Sequence, residues 1–268
     1  MVELRSQAIG AAEEEEIAHR RFWREAMSDL LFRKPLGAGG AAIILLMIAV
    51  SLLAPYIAPF DPVANAYDRI HQAPSLAHWL GTDQFGRDIL SRIIFGAQTA
   101  MLVGFISSFV GATLGLVLGV ASAYFGGRFD LIFQRVMDVL MSFPLIIMAM
   151  AVVSIFGTGV QNVILAITVP FIPRCARVVR ASALAIREIP YVDAARALGF
   201  GHARVIVRHM IPNVMAPYLI MLTSFMAQAI LLEASLSYLG LGVQEPVPAW
   251  GLMLQGGAEE YAESAPWM

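Results

Sequence analysis

The sequence has a single cysteine, Cys175, and a single lysine, Lys34, among its 268 residues. One cysteine excludes a disulfide bond within the chain. A phosphate-binding loop of the form Gly-x-x-x-x-Gly-Lys-Ser/Thr needs a lysine beside the phosphates, whereas Lys34 is followed by proline. The chain therefore cannot hold ATP in such a loop, and we expect it to carry no cofactor of its own.

Side chains that enzymes and metal sites commonly use are also few or badly spaced. No close pair of histidines has the i, i+4 spacing that puts two imidazoles on one helical face. The histidines are His19, His71, His78, His202 and His209. We expect no metal site, although His71 and His78 leave two interpretations open, an ordinary loop role or metal or substrate binding. A Gly-x-Ser-x-Gly motif is missing too, so the sequence favours transport or assembly over catalysis and we expect no catalytic residue.

Charge is scarce, at 14% of residues, while 58% are hydrophobic and the mean hydropathy is +0.70. This composition is too apolar for a soluble domain and is typical of membrane proteins. A bilayer core about 30 Å thick needs about 20 apolar residues in helical form. Apolar runs of suitable length occupy residues 36–59, 99–125, 131–156, 160–172 and 214–239. The sequence therefore predicts an all-α transmembrane bundle with five spans.

The few positive charges predict the orientation, because Lys and Arg near span ends tend to stay cytoplasmic. Basic residues precede the first run, flank the turn after the second and fill the segment 174–213. We therefore divide the chain into a cytoplasmic N-terminal segment (1–35), a first anchor (36–59), an external loop (60–98) and a transmembrane core (99–268). The net charge of −2, without a basic stripe interleaved with aromatic residues, predicts no nucleic-acid partner.

Small residues recur at every fourth position of the second run, among them Gly111, Gly115 and Gly119. They share one helical face and allow a neighbouring backbone to approach closely. Either this face packs within the subunit, or it faces a partner subunit or a translocation path. In the fifth run, Glu233 stands among leucine and alanine; since a lone carboxylate in lipid is costly, we expect it to face a polar cavity or a partner.

Prolines interrupt two of the apolar runs. Pro144 lies in the third and Pro170 in the fourth. Proline removes a helical hydrogen bond, so we expect a break or bend at each position.

The segment YVDAARALGFGHARVIVRHMIPN, residues 191–213, is rich in arginine. It predicts a helix over 191–198, a turn at Gly199 in the left-handed conformation, and a second helix over 202–211 that Pro212 stops. Alanines leave part of the first helix smooth enough for another protein's groove, with Arg196 and Arg204 adding charge at its margin. The alternative is a solvated connector whose arginines only fix the topology.

This segment resembles the EAA-type cytoplasmic loop of ABC importer permeases, through YVDAARALGF followed by RHMIPN. The resemblance implies that the loop docks as a coupling helix into a cleft of a separate ATPase subunit. By position, the motif falls on Asp193, Ala194, Ala195, Gly199 and Pro212. Aspartate stands at 193 where the family usually has glutamate. Asp193, Arg196 and Gly199 are the contacts that we expect to matter most.

Three other stretches resemble the dipeptide, oligopeptide and nickel branch of this family, specifically the second permease of each pair. HWLGTDQFGRDILSRIIFGAQTAMLVG follows the first span, FWREAMSDLLFRKPLGAGGAAIILLMIAVSLLAPYIAPFDP looks like the N-terminal anchor, and EASLSYLGLGVQEPVPAWGLML follows the fifth span. The likeness runs from about residue 22 to the end. Family members carry six spans, so we expect this chain to lack the last one.

The resemblance implies a multi-pass subunit of the cell inner membrane that forms half of a translocation pathway for peptides or a related small solute. Its expected partners are a homologous permease, two ATPase subunits that bind ATP and magnesium, an external substrate-binding protein and the lipid bilayer. The residues themselves leave two alternatives open, a secondary transporter driven by an ion gradient and a membrane scaffold without transport activity.

Overall fold

The computed structural model describes residues 33–261, 263 and 265–268, and apart from one isolated bridge between Thr82 and Asp88 all regular structure in that part is helical. The α-helices are α1 (Pro35–Ile57), α2 (Ile89–Phe125), α3 (Gly127–Met141), α4 (Leu145–Phe156), α5 (Val160–Arg187), α6 (Pro190–Ala197), α7 (His202–Val205), α8 (Met215–Tyr238) and α9 (Trp250–Glu260). A π-helical segment (Ile206–Met210) and a 3₁₀ turn (Ile211–Val214) join α7 to α8, and a 3₁₀ turn (Tyr67–Arg69) lies between α1 and α2. The predicted all-α class is confirmed.

The chain divides into two compact units, residues 1–49 and 50–268. In the first unit the described residues are 33–49, most of them in α1. The second unit contains the rest of α1 and all the other helices. Except for its last three residues, the predicted cytoplasmic segment 1–35 lies outside the described residues.

In the described part of the chain, four helical stretches are long and apolar enough to cross a membrane. They are Pro35–Ile57, Ile89–Phe125, Val160–Arg187 and His202–Tyr238. The number rises to five if α3 and α4, which meet at 90°, form one broken span. The helices extend well beyond the apolar runs: α2 begins ten residues before position 99, where the Asp88 carboxylate accepts a hydrogen bond from the backbone N–H of Ser91.

The two prolines behave differently. At Pro144 the chain breaks between α3 and α4, as predicted, because proline disfavours a helical residue before it. At Pro170 the helix does not break, since α5 continues through Pro170 and Pro173 to Arg187. Both prolines of α5 are buried, and packing of α5 against α2, α4 and α8 holds the helix together where hydrogen bonds are missing.

Helices α2 and α5 pack against each other extensively, and glycine makes their close approach possible. A Cβ atom at Gly111 would lie 2.8 Å from the Cβ of Phe171, and one at Gly119 would lie 2.5 Å from the carbonyl oxygen of Ala176. At Gly115 it would lie 2.5 Å from the Cβ of Cys175. We call this line of contact the glycine seam. Of the two interpretations of the small residues, their geometry matches packing within the subunit.

We predict that Gly115→Val lowers the free energy of unfolding by about 1–3 kcal/mol or more, because the added atoms overlap α5 and the helices must separate. The measurement is thermal unfolding of the purified protein in detergent. Gly40→Val is the matched control, since Gly40 lies in an apolar helix and a Cβ atom added there would have no neighbour within 4 Å. Equal unfolding temperatures for the two variants would contradict the seam.

An ionic cluster of the buried Asp83, Arg87 and Arg92 with the more exposed Glu245 connects the start of α2 to the segment after α8. Arg87 donates through Nε to Asp83 at 2.7 Å and through Nη2 to Glu245 at 3.0 Å. Arg92 donates to Glu245 at 3.3 Å and to the carbonyl of Pro62 at 3.0 Å. Burial raises the pKa of the Glu245 carboxyl, but the hydrogen bonds and charges of Arg87 and Arg92 outweigh burial and hold that pKa below its ordinary range.

The same region accounts for His78, whose Nδ1 lies 2.9 Å from the Asp88 carboxylate that caps α2. The His71 ring contacts the Tyr261 ring at a tilt of 51°, with the ring centroids 4.3 Å apart. The structure therefore places these histidines in separate loop contacts, His78 with Asp88 and His71 with Tyr261.

We predict that Glu245→Gln lowers the unfolding temperature at pH 7, because two buried guanidinium groups lose their shared counter-charge. A carboxyl whose pKa is lowered in the folded state stabilises the folded protein at pH values above its unfolded pKa, which is about 4.3. This stabilisation is lost as the pH falls through the folded pKa. The gap between wild type and variant should therefore shrink below about pH 4. Unfolding curves across pH 3–7 test this, with the exposed Glu188→Gln as control; a gap independent of pH would contradict it.

Candidate functional site

The segment from α6 to α8 has the predicted helix, glycine turn and helix. Pro190 occupies the first turn of α6, where its missing N–H is not needed. At the other end, Gly199 adopts φ +78° and donates to the carbonyl of Arg196 at 2.9 Å, while Phe200 donates to the carbonyl of Ala195 at 3.2 Å. This pair of bonds is a Schellman motif, which explains why glycine is needed at 199. We call residues 190–214 the loop element.

Pro212 does not stop the second helix, and that prediction is wrong. The chain passes through the π-helical segment and the 3₁₀ turn directly into α8. Pro212 stands in the first turn of the 3₁₀ segment, where its missing N–H is tolerated, and Asn213 Nδ2 donates to the carbonyl of His209 at 2.7 Å. The loop element is thus continuous with a long membrane-crossing helix.

One face of the loop element is exposed. Asp193, Ala194, Gly199 and Arg204 lie on it, together with Leu198, whose side chain is 75% exposed. Leu198 was not among the residues singled out from the sequence, although an apolar residue directly before the capping glycine was a usable signal. We call these five residues the outer face.

The opposite face packs into the protein. Ala195 is only 3% exposed and joins the core with Val192, so it does not contribute to the smooth surface expected of the alanines. Arg196 turns inward as well: its Cζ lies 4.8 Å from the centre of the Tyr124 ring, while Nη1 donates to Asp193 at 3.2 Å. A cation over an aromatic face is attracted by the ring.

Further contacts bind the loop element into one body. The Tyr191 hydroxyl donates to the carbonyl of His209 at 3.2 Å, and Asn213 Nδ2 donates to that hydroxyl at 3.0 Å. Arg204 lies over the Phe200 ring, with Cζ 5.1 Å from its centre. The two halves of the loop element are therefore linked by side chains as well as by the glycine turn.

The remaining candidate residues lie elsewhere. Glu233 is 1% exposed and accepts a hydrogen bond from the Ser237 hydroxyl at 2.7 Å, close to the far end of α8 and about 30 Å along the helix from the loop element. Gly111, Gly115 and Gly119 lie in the glycine seam. The structure brings together Asp193, Arg196, Gly199, Arg204 and Pro212, but neither Glu233 nor the seam is part of that group.

Comparison with known proteins identifies the family. Residues 111–262 match the family described as binding-protein-dependent transport system inner membrane component, and residues 21–74 match the N-terminal transmembrane domain of oligopeptide transport permease C. The solved MetNI methionine ABC transporter, in inward-facing conformations, is similar in fold: the TM-score is 0.53 at 21% identity, over 65% of this chain and 84% of that chain.

Curated relatives are considerably more similar in sequence. A putative peptide transport system permease protein of Brucella suis biovar 1 is 43% identical over 85% of this chain and 77% of its own length. The glutathione transport system permease protein GsiD of Pectobacterium atrosepticum is 38% identical over 88% and 77%. The dipeptide transport system permease protein DppC of Alkalihalophilus pseudofirmus is 37% identical over 91% and 80%.

The family match covers more than half of the chain, and these relatives exceed 30% identity over most of both sequences. The resemblance inferred from the sequence motifs is confirmed. With its all-α architecture and several apolar helices long enough to span a bilayer, the chain belongs to the family of binding-protein-dependent transport system inner membrane components, and it is a transport permease subunit, not an enzyme.

Proposed function

We propose that this permease imports peptides or small peptide-like solutes, forms half of the translocation pathway, and is driven by separate ATPase subunits that dock on the outer face of the loop element. The peptide, dipeptide and glutathione permeases among its relatives support the class of solute. The observation that carries the docking proposal is Leu198, a large apolar side chain left 75% exposed at the capped end of a helix.

The outer face has the composition of a docking surface. A buried apolar anchor with charged residues around it is the usual pattern in protein interfaces. Leu198 supplies the anchor, Ala194 and Gly199 allow close approach, and Asp193 and Arg204 supply charges of opposite sign. Because the inner face of the loop element is fixed to the rest of the chain, a partner seated on the outer face would pull on the whole segment.

The remaining partners are a second, homologous permease and an external binding protein that delivers the solute. ATP and magnesium would be bound by the two ATPase subunits. ATP can change the permease conformation only if the ATPase subunits bind the inward-open and outward-open states with different affinity. The loop element is suited to convey that difference because it leads without interruption into α8.

We also propose that the loop element and the N-terminal segment are cytoplasmic and that residues 60–98 are external. The arginines of 174–213 support this orientation, since basic residues near span ends tend to remain in the cytoplasm. Division of the chain into anchor, external loop and core follows the same orientation, with α2 starting at Ile89.

The docking proposal predicts that Leu198→Asp reduces co-purification of ATPase subunits with the tagged permease by about tenfold or more, since losing about 1.4 kcal/mol of binding has that effect. ATP-dependent uptake of dialanine and of glutathione into proteoliposomes should fall in parallel. Leu76→Asp is the matched control, because Leu76 is 98% exposed and lies outside the loop element.

Each alternative result has a defined meaning. ATPase subunits retained at the wild-type level by Leu198→Asp would refute docking at the outer face. Uptake by the wild-type permease without any ATPase subunit would indicate a carrier driven by an ion gradient. If the wild-type permease neither binds ATPase subunits nor takes up solute, the result would indicate a scaffold.

Orientation is tested by cysteine labelling. We expect a membrane-impermeant maleimide to label Leu76→Cys in intact cells, and to label Val207→Cys, an exposed position of the loop element away from Leu198, only after the membrane is permeabilised. The native Cys175 is fully buried and serves as an internal control that should stay unlabelled. Labelling of Val207→Cys from outside intact cells would reverse the proposed topology.

A further inference from the structure

The last turn of α2 lies directly beneath the loop element. Tyr124, the penultimate residue of α2, is 6% exposed and belongs to the hydrophobic core, but its ring and hydroxyl both face the loop element. Neither the position of Tyr124 in the sequence nor the motif of the loop predicted this contact, because the two segments are separated by more than sixty residues.

Tyr124 contacts both halves of the loop element at once. From the first half, the Arg196 guanidinium lies over the ring, with Cζ 4.8 Å from the ring centre. From the second half, His202 Nδ1 lies 2.8 Å from the Tyr124 hydroxyl. The His202 ring also meets Phe125 edge-on, with centroids 5.9 Å apart. One aromatic side chain therefore touches the loop element on either side of the Gly199 turn.

The end of α2 is held from α5 as well. Arg187, the last residue of α5, donates through Nη1 to the carbonyl of Ala123 at 3.0 Å. This bond satisfies a carbonyl that the end of α2 leaves without a helical partner. The last turn of α2 thus has little freedom to move independently of the loop element and α5.

Beyond this turn, α2 is one unbroken helix of 37 residues, and the glycine seam packs its C-terminal half closely against α5. Near the middle of α2, a Cβ atom at Gly104 would lie 2.9 Å from Cγ1 of Ile230 on α8. Tightly packed helices shift as units instead of deforming continuously. A displacement applied at Tyr124 would consequently move the whole helix.

We infer that the contacts among Tyr124, Arg196 and His202, which we call the junction, make the loop element and α2 move as one body when the ATPase subunits act. This inference rests on the proposed function and assigns a specific role to Tyr124 and His202 as positioning residues. It also explains Arg196: the side chain stabilises the attachment of the loop element to α2, because its guanidinium lies over the Tyr124 ring while Nη1 donates to Asp193.

A double spin-label measurement tests the junction in the assembled complex. Labels are placed at Val207→Cys in the loop element and Phe105→Cys on α2, both at exposed positions, with buried Cys175 left in place. Phe105 lies about 29 Å along α2 from Tyr124, a suitable separation for pulsed electron–electron double resonance spectroscopy. In the wild type we expect the distance between labels to stay constant, within about 1 Å, with and without ATP and Mg²⁺.

In Tyr124→Leu, which removes both the ring under Arg196 and the hydroxyl beside His202, we expect ATP to change that distance by about 2 Å or more, the scale of helix shifts at interfaces. Tyr218→Leu is the matched control: Tyr218 is also 6% exposed and its hydroxyl lies 3.0 Å from Thr113 Oγ1, but it lies outside the junction. We expect the control to behave as the wild type does.

A second set of variants covers the case in which Tyr124→Leu does not fold. His202→Asn retains a polar atom near the position of Nδ1 and should keep the distance constant, whereas His202→Leu should not. A wild-type distance that changes with ATP, a constant distance in both Tyr124→Leu and His202→Leu, or an equal change in Tyr218→Leu would each overturn the inference.

These outcomes are separable from those of the docking proposal. The spin-label measurement uses only complexes that retain their ATPase subunits. Docking is refuted when Leu198→Asp still retains those subunits, whereas the junction is refuted when the complex assembles and the loop element and α2 nevertheless move independently.

Discussion

The close approach of α2 and α5 is the constraint on which the rest of the structure depends. Within a bilayer there is little hydrophobic drive between helices, so association relies on packing and on hydrogen bonds. Glycine at 111, 115 and 119 lets the α5 backbone fill the space that side chains would occupy. Around this pair, α3 and α4 pack on α5, and α8 packs on both α2 and α5.

Contacts at the two ends of α2 connect this helix pair to the rest of the protein. At one end, Arg87 and Arg92 hold Glu245, so the segment after α8 is attached to the start of α2. At the other, Arg187 and the loop element enclose the last turn of α2. A single helix therefore runs from the ionic cluster around Glu245 to the site proposed for ATPase docking.

Sequence reasoning succeeded where the cause is local. Pro144 breaks a helix and Gly199 ends one because proline and glycine restrict or permit backbone conformations by themselves. At Pro170 the helix does not break, and the predicted helix stop at Pro212 is wrong. At Pro170, packing of the buried helix α5 accommodates the missing hydrogen bond. At Pro212, a change to π and 3₁₀ geometry does so. Neither effect can be read from the local sequence.

By itself, the sequence determined that the protein is helical and membrane-spanning, that its loop element turns on glycine, and which family it belongs to, because apolar run length and motif spacing are properties of contiguous residues. Only the tertiary structure decided which face of the loop element is free. Ala195 and Arg196 turn inward and Leu198 outward because distant Tyr124 and the core around it occupy one side. Contacts between residues far apart in the chain depend on how the helices pack, and that packing is settled by the whole bundle at once.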